Sequence, residues 1–97
     1  MPAYVILNIH VNDPDLFEEY KQLAPATIAA YGGRYLARGG KAEVLEGDWT
    51  PARVVILEFD SSDTAKVWIN SPEYRAARLM RQQAATSHTI LVEGIEV

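Results

Sequence analysis

The sequence predicts an α+β domain of the ferredoxin-like order β-α-β-β-α-β, with an antiparallel sheet in the order 4-1-3-2 and both helical stretches on one face. Three observations carry that expectation. Short runs rich in β-branched residues alternate with longer stretches whose apolar residues recur at helical spacing. The helical stretches open on capping signals, Asn12-Asp13-Pro14 and Ser71-Pro72 among them. Finally, 97 residues without cysteine leave room for a single core, so 1–97 is read as one domain, and disulfides and thiolate metal sites are excluded as its supports.

The first strand is "AYVILNIHV". Val5, Leu7, Ile9 and Val11 are uniformly apolar, whereas the alternate positions Tyr4, Ile6, Asn8 and His10 are mixed. One face should therefore pack against helices and the other meet something partly polar. "NDPDLFEEY" begins a helix: Asn12 or Asp13 caps it, Pro14 suits its first turn, and Asp15 complements the helix dipole. Leu16, Phe17, Tyr20, Leu23 and Ala24 form its apolar stripe, Ile28 and Tyr31 continue it, and Gly32-Gly33 ends it. Pro25 is expected to kink or split this helix, because it lacks an N–H and its ring crowds the preceding turn.

The second strand is expected over 34–38 and again near 43–46, with a bulge or bend at Gly39-Gly40. "GDWTP" reads as a turn and "ARVVILEF" as a third strand apolar enough to be central. "DSSDTAKVWIN" opens a helix capped by Asp60 or Ser61, with Ala65, Trp68 and Ile69 as its apolar positions. "NSPEY" restarts it on Ser71, Pro72 and Glu73, and it runs to about Ala84 before "HTILVEGIEV" forms the fourth strand. With the helices on one side of the sheet, the other side is left bare although it carries Ile6, and a second copy of the sheet is the simplest cover. A homodimer is thus expected, forming an α/β barrel.

Composition narrows the function classes. A net charge of −4 and a pI near 5.0 disfavour a phosphate-backbone partner. "RVVILEF" also lacks the glycine and exposed aromatics on which an RNA-recognition sheet stacks bases, so no nucleic acid is expected. The opening "MPAYVILNIHVN" has no basic residue ahead of its apolar run and no signal-type cleavage site, and the run is too short to span a bilayer. A cytoplasmic location without a membrane partner is the expectation. There is no phosphate-binding glycine loop, no GxSxG elbow and no HExxH.

The segments "GGRYLARGG", "EVLEGDWTP", "VVILEF" and "SPEYRAAR" resemble a bacterial family known as domain-of-unknown-function family thirteen-thirty. The resemblance runs over essentially the full length. It implies the ferredoxin-like fold and a dimeric α/β barrel, but no reaction. The wider superfamily holds cofactor-free quinol monooxygenases, muconolactone-type isomerases, haem-dependent enzymes and stress-induced barrel proteins, a breadth from which fold alone selects nothing.

Arg38 stands out, because a guanidinium holds a carboxylate or enolate with paired donors and the glycines after it let a ligand approach the backbone. Its structural alternative is a strand-end arginine paired with Glu46 or Glu58. Trp49 either walls the same site or plugs the end of the barrel. Arg53 and Glu58 lie at odd spacing and should project from opposite faces. Glu58, between Leu57 and Phe59, is a candidate general base if burial raises its pKa, with an internal salt bridge as the plainer role. His10 is a candidate proton shuttle beside Asn8 on the mixed face. Tyr20, Tyr31, Trp68 and Tyr74 read chiefly as core aromatics, and Tyr74, near a helix start, is placed to donate to a ligand.

Other clusters are read as structure. Arg75, Arg78 and Arg81 recur every third residue, the mark of a solvated helix face or an anion-binding stripe. His10, His88 and Asp13 should approach one sheet end, yet their spacing is no recognised metal motif, and neither histidine sits on a helix where haem would be held; no metal and no cofactor are expected.

These residues point to a small-molecule-binding protein, with either binding alone or cofactor-free chemistry of monooxygenase or isomerase type on an anionic or enolisable organic molecule. Arg38 would orient the ligand, His10 or Glu58 would move a proton, and Asn8, Trp49 and Tyr74 would contact it. The alternative is a non-catalytic structural or regulatory dimer in which Arg38, Arg53, Glu58 and Glu93 pair across the subunit interface. A ligand-sized cavity favours the first, and charges that meet one another favour the second.

Overall fold

Period-two alternation decides which side chains form the core. In the computed structural model, which describes residues 1–96, the elements are β1 (Ala3–Val11), α1 (Pro14–Ala30), β2 (Arg34–Arg38), β3 (Arg53–Phe59), α2 (Ser62–Ile69), α3 (Pro72–Ala84) and β4 (Ala85–Glu93). The strands form one antiparallel sheet in the order β2-β3-β1-β4, as the connectivity predicts. Ala3, Val5, Leu7 and Ile9 of β1 and Val55, Leu57 and Phe59 of β3 face the helices and are buried. Trp68 lies at the centre, its ring 5.3 Å from Phe59 and 4.3 Å from Tyr74, with its indole N–H donating to Thr27 Oγ1 at 3.2 Å. Full burial of each large apolar side chain contributes about 1.5–3 kcal/mol.

The caps fall where the sequence signals them. Asp13 accepts from the Leu16 N–H, Ser61 from Thr64 and Ser71 from Tyr74. At the far end of α1, Gly32 adopts φ +73°, and the N–H groups of Gly32 and Gly33 donate to the carbonyls of Ala29 and Ile28. That left-handed closure suits glycine, which lacks the Cβ that would crowd it.

The structure corrects five local expectations. Pro25 does not split α1, which is continuous from Pro14 to Ala30. Proline's missing N–H frees the Lys21 carbonyl four residues earlier, and Arg38 Nη2 donates to that oxygen at 2.9 Å. Strand two does not resume near 43–46, because 39–52 is a loop and β3, the only neighbour of β2 among the described residues, begins at Arg53. The bulge sits at Leu36, where the pairing steps from Tyr35↔Leu57 to Ala37↔Ile56, and not at the glycine pair. Val11 and Leu23 are exposed despite their apolar registers, since β1 has run past the helices at Val11 and Leu23 lies at the edge of the stripe. Finally, β4 begins at Ala85, which directly follows α3, three residues before His88.

Among the described residues, no helix lies over the other sheet face. Tyr4 and Ile6 of β1 pair there with Val92 and Ile90 of β4 and with Glu58 and Ile56 of β3. Ile90 is 58% exposed and Val92 41%. No helix among the described residues is long and apolar enough to cross a membrane.

Candidate functional site

The bulge at Leu36 builds the site. In a regular strand, Arg38 would share the face of Arg34 and lie opposite Val54 on the open side of the sheet. The extra residue turns Arg38 to the helix face, where it pairs with Val55, while Arg34, before the bulge, stays opposite Glu58 and forms an ion pair with it. Tyr35, opposite Leu57, lies on the same face, and the Arg38 guanidinium stands 4.8 Å from its ring. Arg53 shares the register of Val55 and Leu57 and also turns towards α1, with its guanidinium 5.6 Å from the Phe17 ring. Gly39 adopts φ +73°, a left-handed conformation that favours glycine, and a Cβ there would push against the Arg53 guanidinium.

These residues enclose a cleft between α1 and the sheet, with Leu7, Ile9, Phe17 and Val55 as apolar wall and Tyr20, Tyr35, Arg38 and Arg53 as polar groups. Its volume is about 20 Å³, enough for one water molecule. Neither arginine forms an ion pair among the described residues. Arg53 Nη2 reaches only the Arg38 carbonyl, at 3.5 Å, and its Nε is buried without a partner. Lys21, at the same lip, is engaged by Glu18. Burial pushes the Tyr35 phenol up, more than the adjacent Arg38 pulls it down. Tyr20 is raised as well, first by burial and then by Tyr74. Both phenols are therefore neutral donors near pH 7. Behind Tyr20, its hydroxyl lies 2.7 Å from that of Tyr74, which accepts from Arg81 Nε at 3.3 Å.

Of the residues chosen from sequence, Arg38 alone lines the cleft. Asn8 is on the open face, where its Oδ1 accepts the Ala52 N–H at 2.9 Å and anchors the end of the 39–52 loop. His10 is exposed on that same face. Glu58 is there too, half-buried in its pair with Arg34, on the opposite side of the sheet from Arg53 as its odd spacing predicts. Trp49 is 59% exposed in the loop. Tyr74 is fully buried in the core and reaches the cleft only through Tyr20. His88 pairs with Asn8 on the strand beside His10, but Asp13 caps α1, and no group of three or more metal-ligating side chains lies together among the described residues.

The arginines of α3 do not form a stripe. Arg81 is buried and Arg75 exposed, while Arg78 closes the C-terminus of α2 by donating to the Ile69 carbonyl and Asn70 Oδ1. Arg53, Tyr20 and Tyr35 are the cleft residues that sequence reasoning did not place in a site. For Arg53 the signal was present, since it shares the register of three buried residues of β3.

Solved structures share this fold. A protein of unknown function from Rhodopseudomonas palustris superposes with a TM-score of 0.76 at 20% identity, covering 99% of this chain and 84% of that one. A dimeric protein of unknown function with a ferredoxin-like fold from Bacteroides fragilis gives 0.65 at 17% identity, with 96% of each chain covered. SnoaB, a cofactor-independent oxygenase from Streptomyces nogalater, gives 0.60 at 12% identity, covering 99% of this chain and 95% of that one. Comparison with curated proteins returned no match. The model of the family "Domain of unknown function (DUF1330)" matches residues 2–95, and the chain belongs to that family.

Proposed function

We propose that this protein binds an anionic organic molecule in the cleft between α1 and the sheet, one cleft per subunit of a homodimer joined through the open sheet faces. One observation carries the reading. Two guanidinium groups, Arg38 and Arg53, meet at an apolar cleft without a carboxylate to neutralise either of them among the described residues. Two like charges beside low-dielectric walls repel, and an oxyanion placed between them relieves that repulsion while satisfying the idle Arg53 Nε.

The cleft as it stands admits a water and no more, so a ligand enters by displacing Arg38 from the Lys21 carbonyl. Arg38 is exposed, and exchanging one oxygen acceptor for a carboxylate is an easy step. The same pair of guanidinium groups that would hold a carboxylate would also hold an enolate oxygen, which extends the ligand class to enolisable molecules; a cofactor-independent oxygenase shares the fold. His10 and Glu58 lie across the sheet from the cleft, so in this reading they belong to the dimer seam and do not move a proton at the ligand. The dimer itself is supported by the bare apolar face and by dimeric relatives of the same fold.

The small volume favours a second reading, a dimer with no ligand. Titration of small carboxylates into wild-type protein and Arg53→Gln, followed by backbone amide shifts, separates the two. Binding that wild type shows and Arg53→Gln loses by tenfold or more, about 1.4 kcal/mol, supports the cleft. Absence of any shift at millimolar carboxylate favours the second reading.

A further inference from the structure

The buried arginine of α3 has no place in the binding scheme above, and it sits next to a pair of phenols. Arg81 is 5% exposed and forms no ion pair among the described residues; its Nε donates to Tyr74 Oη, which lies 2.7 Å from Tyr20 Oη. We infer that Tyr20 is a third anchor of the cleft, its hydroxyl proton turned towards a bound oxyanion by Tyr74 and Arg81, which act as positioning residues. This rests on the anionic-ligand reading of the cleft and adds to it the residue that selects an oxyanion over a neutral carbonyl.

The available protons fix the direction of these bonds. A guanidinium nitrogen only donates, so Tyr74 must accept from Arg81. The two hydroxyls then share one bond between them, and one phenolic proton is left over. Tyr74 is completely buried, and its hydroxyl has no further acceptor among the described residues. Leaving the spare proton on Tyr74 would strand a donor inside the core. Giving Tyr74's proton to Tyr20 moves the spare proton to Tyr20, which borders the cleft. A water fits there in the empty site, and a ligand oxygen replaces it on binding.

The chain Arg81→Tyr74→Tyr20 also accounts for the arginine's burial. Its charge polarises both hydroxyls in the same sense and strengthens the last donor. Arg81 lies in the last turn of α3, where the helix dipole offsets part of the cost of burying it. Burial and Tyr74 keep the Tyr20 phenol protonated at neutral pH, so it remains a donor. The resulting cleft presents three donors, Tyr20, Arg38 and Arg53, to one apolar pocket.

The test uses benzoate and its neutral isostere benzamide, titrated into wild type, Tyr20→Phe, Tyr74→Phe and Arg53→Gln, together with a crystal structure of the ligand-free protein. Benzoate affinity is expected to fall about tenfold in Tyr20→Phe, in keeping with loss of a hydrogen bond to a charged group. A smaller fall is expected in Tyr74→Phe, and the benzamide affinity is expected to stay level in both. A merely structural role for Tyr74 would weaken both probes alike, and that result overturns the relay.

Equal benzoate binding by Tyr20→Phe and wild type, with Arg53→Gln still weakened, overturns the Tyr20 assignment and leaves the arginine cleft standing. Should benzoate fail to bind wild type, the anionic reading falls, and the crystal structure still decides the hydroxyl. An ordered water within hydrogen-bonding distance of Tyr20 Oη on the cleft side supports the proton assignment, and a protein acceptor there overturns it. If a single variant fails to fold, the ligand-free crystal structure of the wild type alone decides the proton assignment by the same two outcomes.

Discussion

Replacing Pro25 with alanine returns to α1 an N–H able to bond the Lys21 carbonyl, the oxygen that Arg38 now holds at 2.9 Å. Proline in a helix interior is about 3 kcal/mol less favourable than alanine. Against this, alanine loosens the unfolded chain by about 0.4–1 kcal/mol, and the Arg38 bond already recovers part of the penalty. Because Arg38 is exposed, that bond contributes about 0.5–1 kcal/mol. Pro25→Ala should therefore stabilise the protein by about 1–2 kcal/mol, or raise Tm by about 5–10 °C for a chain of this size.

A double-mutant cycle with Arg38→Gln isolates the contact. Arg38→Gln should cost about 0.5–1 kcal/mol beside Pro25 and close to nothing beside alanine, since the helix then satisfies Lys21 itself. Urea unfolding at one fixed protein concentration measures all four corners, the fixed concentration keeping any association constant. A neutral or destabilising Pro25→Ala would refute the reasoning, as would an equal cost of Arg38→Gln in both backgrounds.

Gly33→Ala would place a Cβ 2.5 Å from Phe59 Cε1 and 2.8 Å from Ile28 Cγ2, both in the packed core. Overpacking of that kind should cost about 1–3 kcal/mol in urea unfolding, and unchanged stability would mean the core yields more readily than its packing indicates. The bond from Tyr31 to Glu73, at 2.5 Å, holds the Glu73 carboxyl below its ordinary 4.5 and the Tyr31 phenol above its ordinary 10.0. A lowered acid pKa adds stability that is present above 4.5 and lost as pH falls through the folded value; a raised phenol pKa adds stability that is present below 10.0 and lost as pH rises through the folded value. The stability difference between wild type and Tyr31→Phe should thus be level between those limits and shrink beyond either, and a difference that persists unchanged in strong acid contradicts it. Ile90→Lys puts a charge on the bare sheet face beside Ile6 and should yield monomers in analytical ultracentrifugation at concentrations where wild type is dimeric. Wild type sedimenting as a monomer at micromolar concentration would refute the dimer.

Fold and caps were legible in the sequence because their causes are local. The alternation of β1 and β3 places every second side chain on one face whatever lies elsewhere, and Asp13, Ser61 and Ser71 cap from within three residues of the groups they bond. Strand order followed from the handedness of the crossovers, which hardly varies between proteins. The family was equally legible, since its motifs are runs of consecutive residues.

The site was legible only at Arg38. Asn8, His10 and Glu58 share with it the pattern of polar residues in apolar strands, yet the sheet stands between them and the cleft. One inserted residue at Leu36 separates the two faces at that edge, and nothing in "RYLARGG" marks leucine as the bulge when a glycine pair follows it. Tyr74 is the core aromatic its helical spacing indicates, and its alternative role as a donor near a helix start is lost because the packing of α3 against α1 takes its hydroxyl into the core and brings Tyr20 to it.

The sequence by itself thus determined the strand and helix periods, the caps, the family and the strand order, all set by neighbours in the chain or by chirality. Tertiary structure alone decided the Leu36 bulge, the rescue of Pro25 by Arg38 and the meeting of Arg38 with Arg53. Those depend on groups distant along the chain, and a shift of one residue in a strand sends every later side chain to the opposite face.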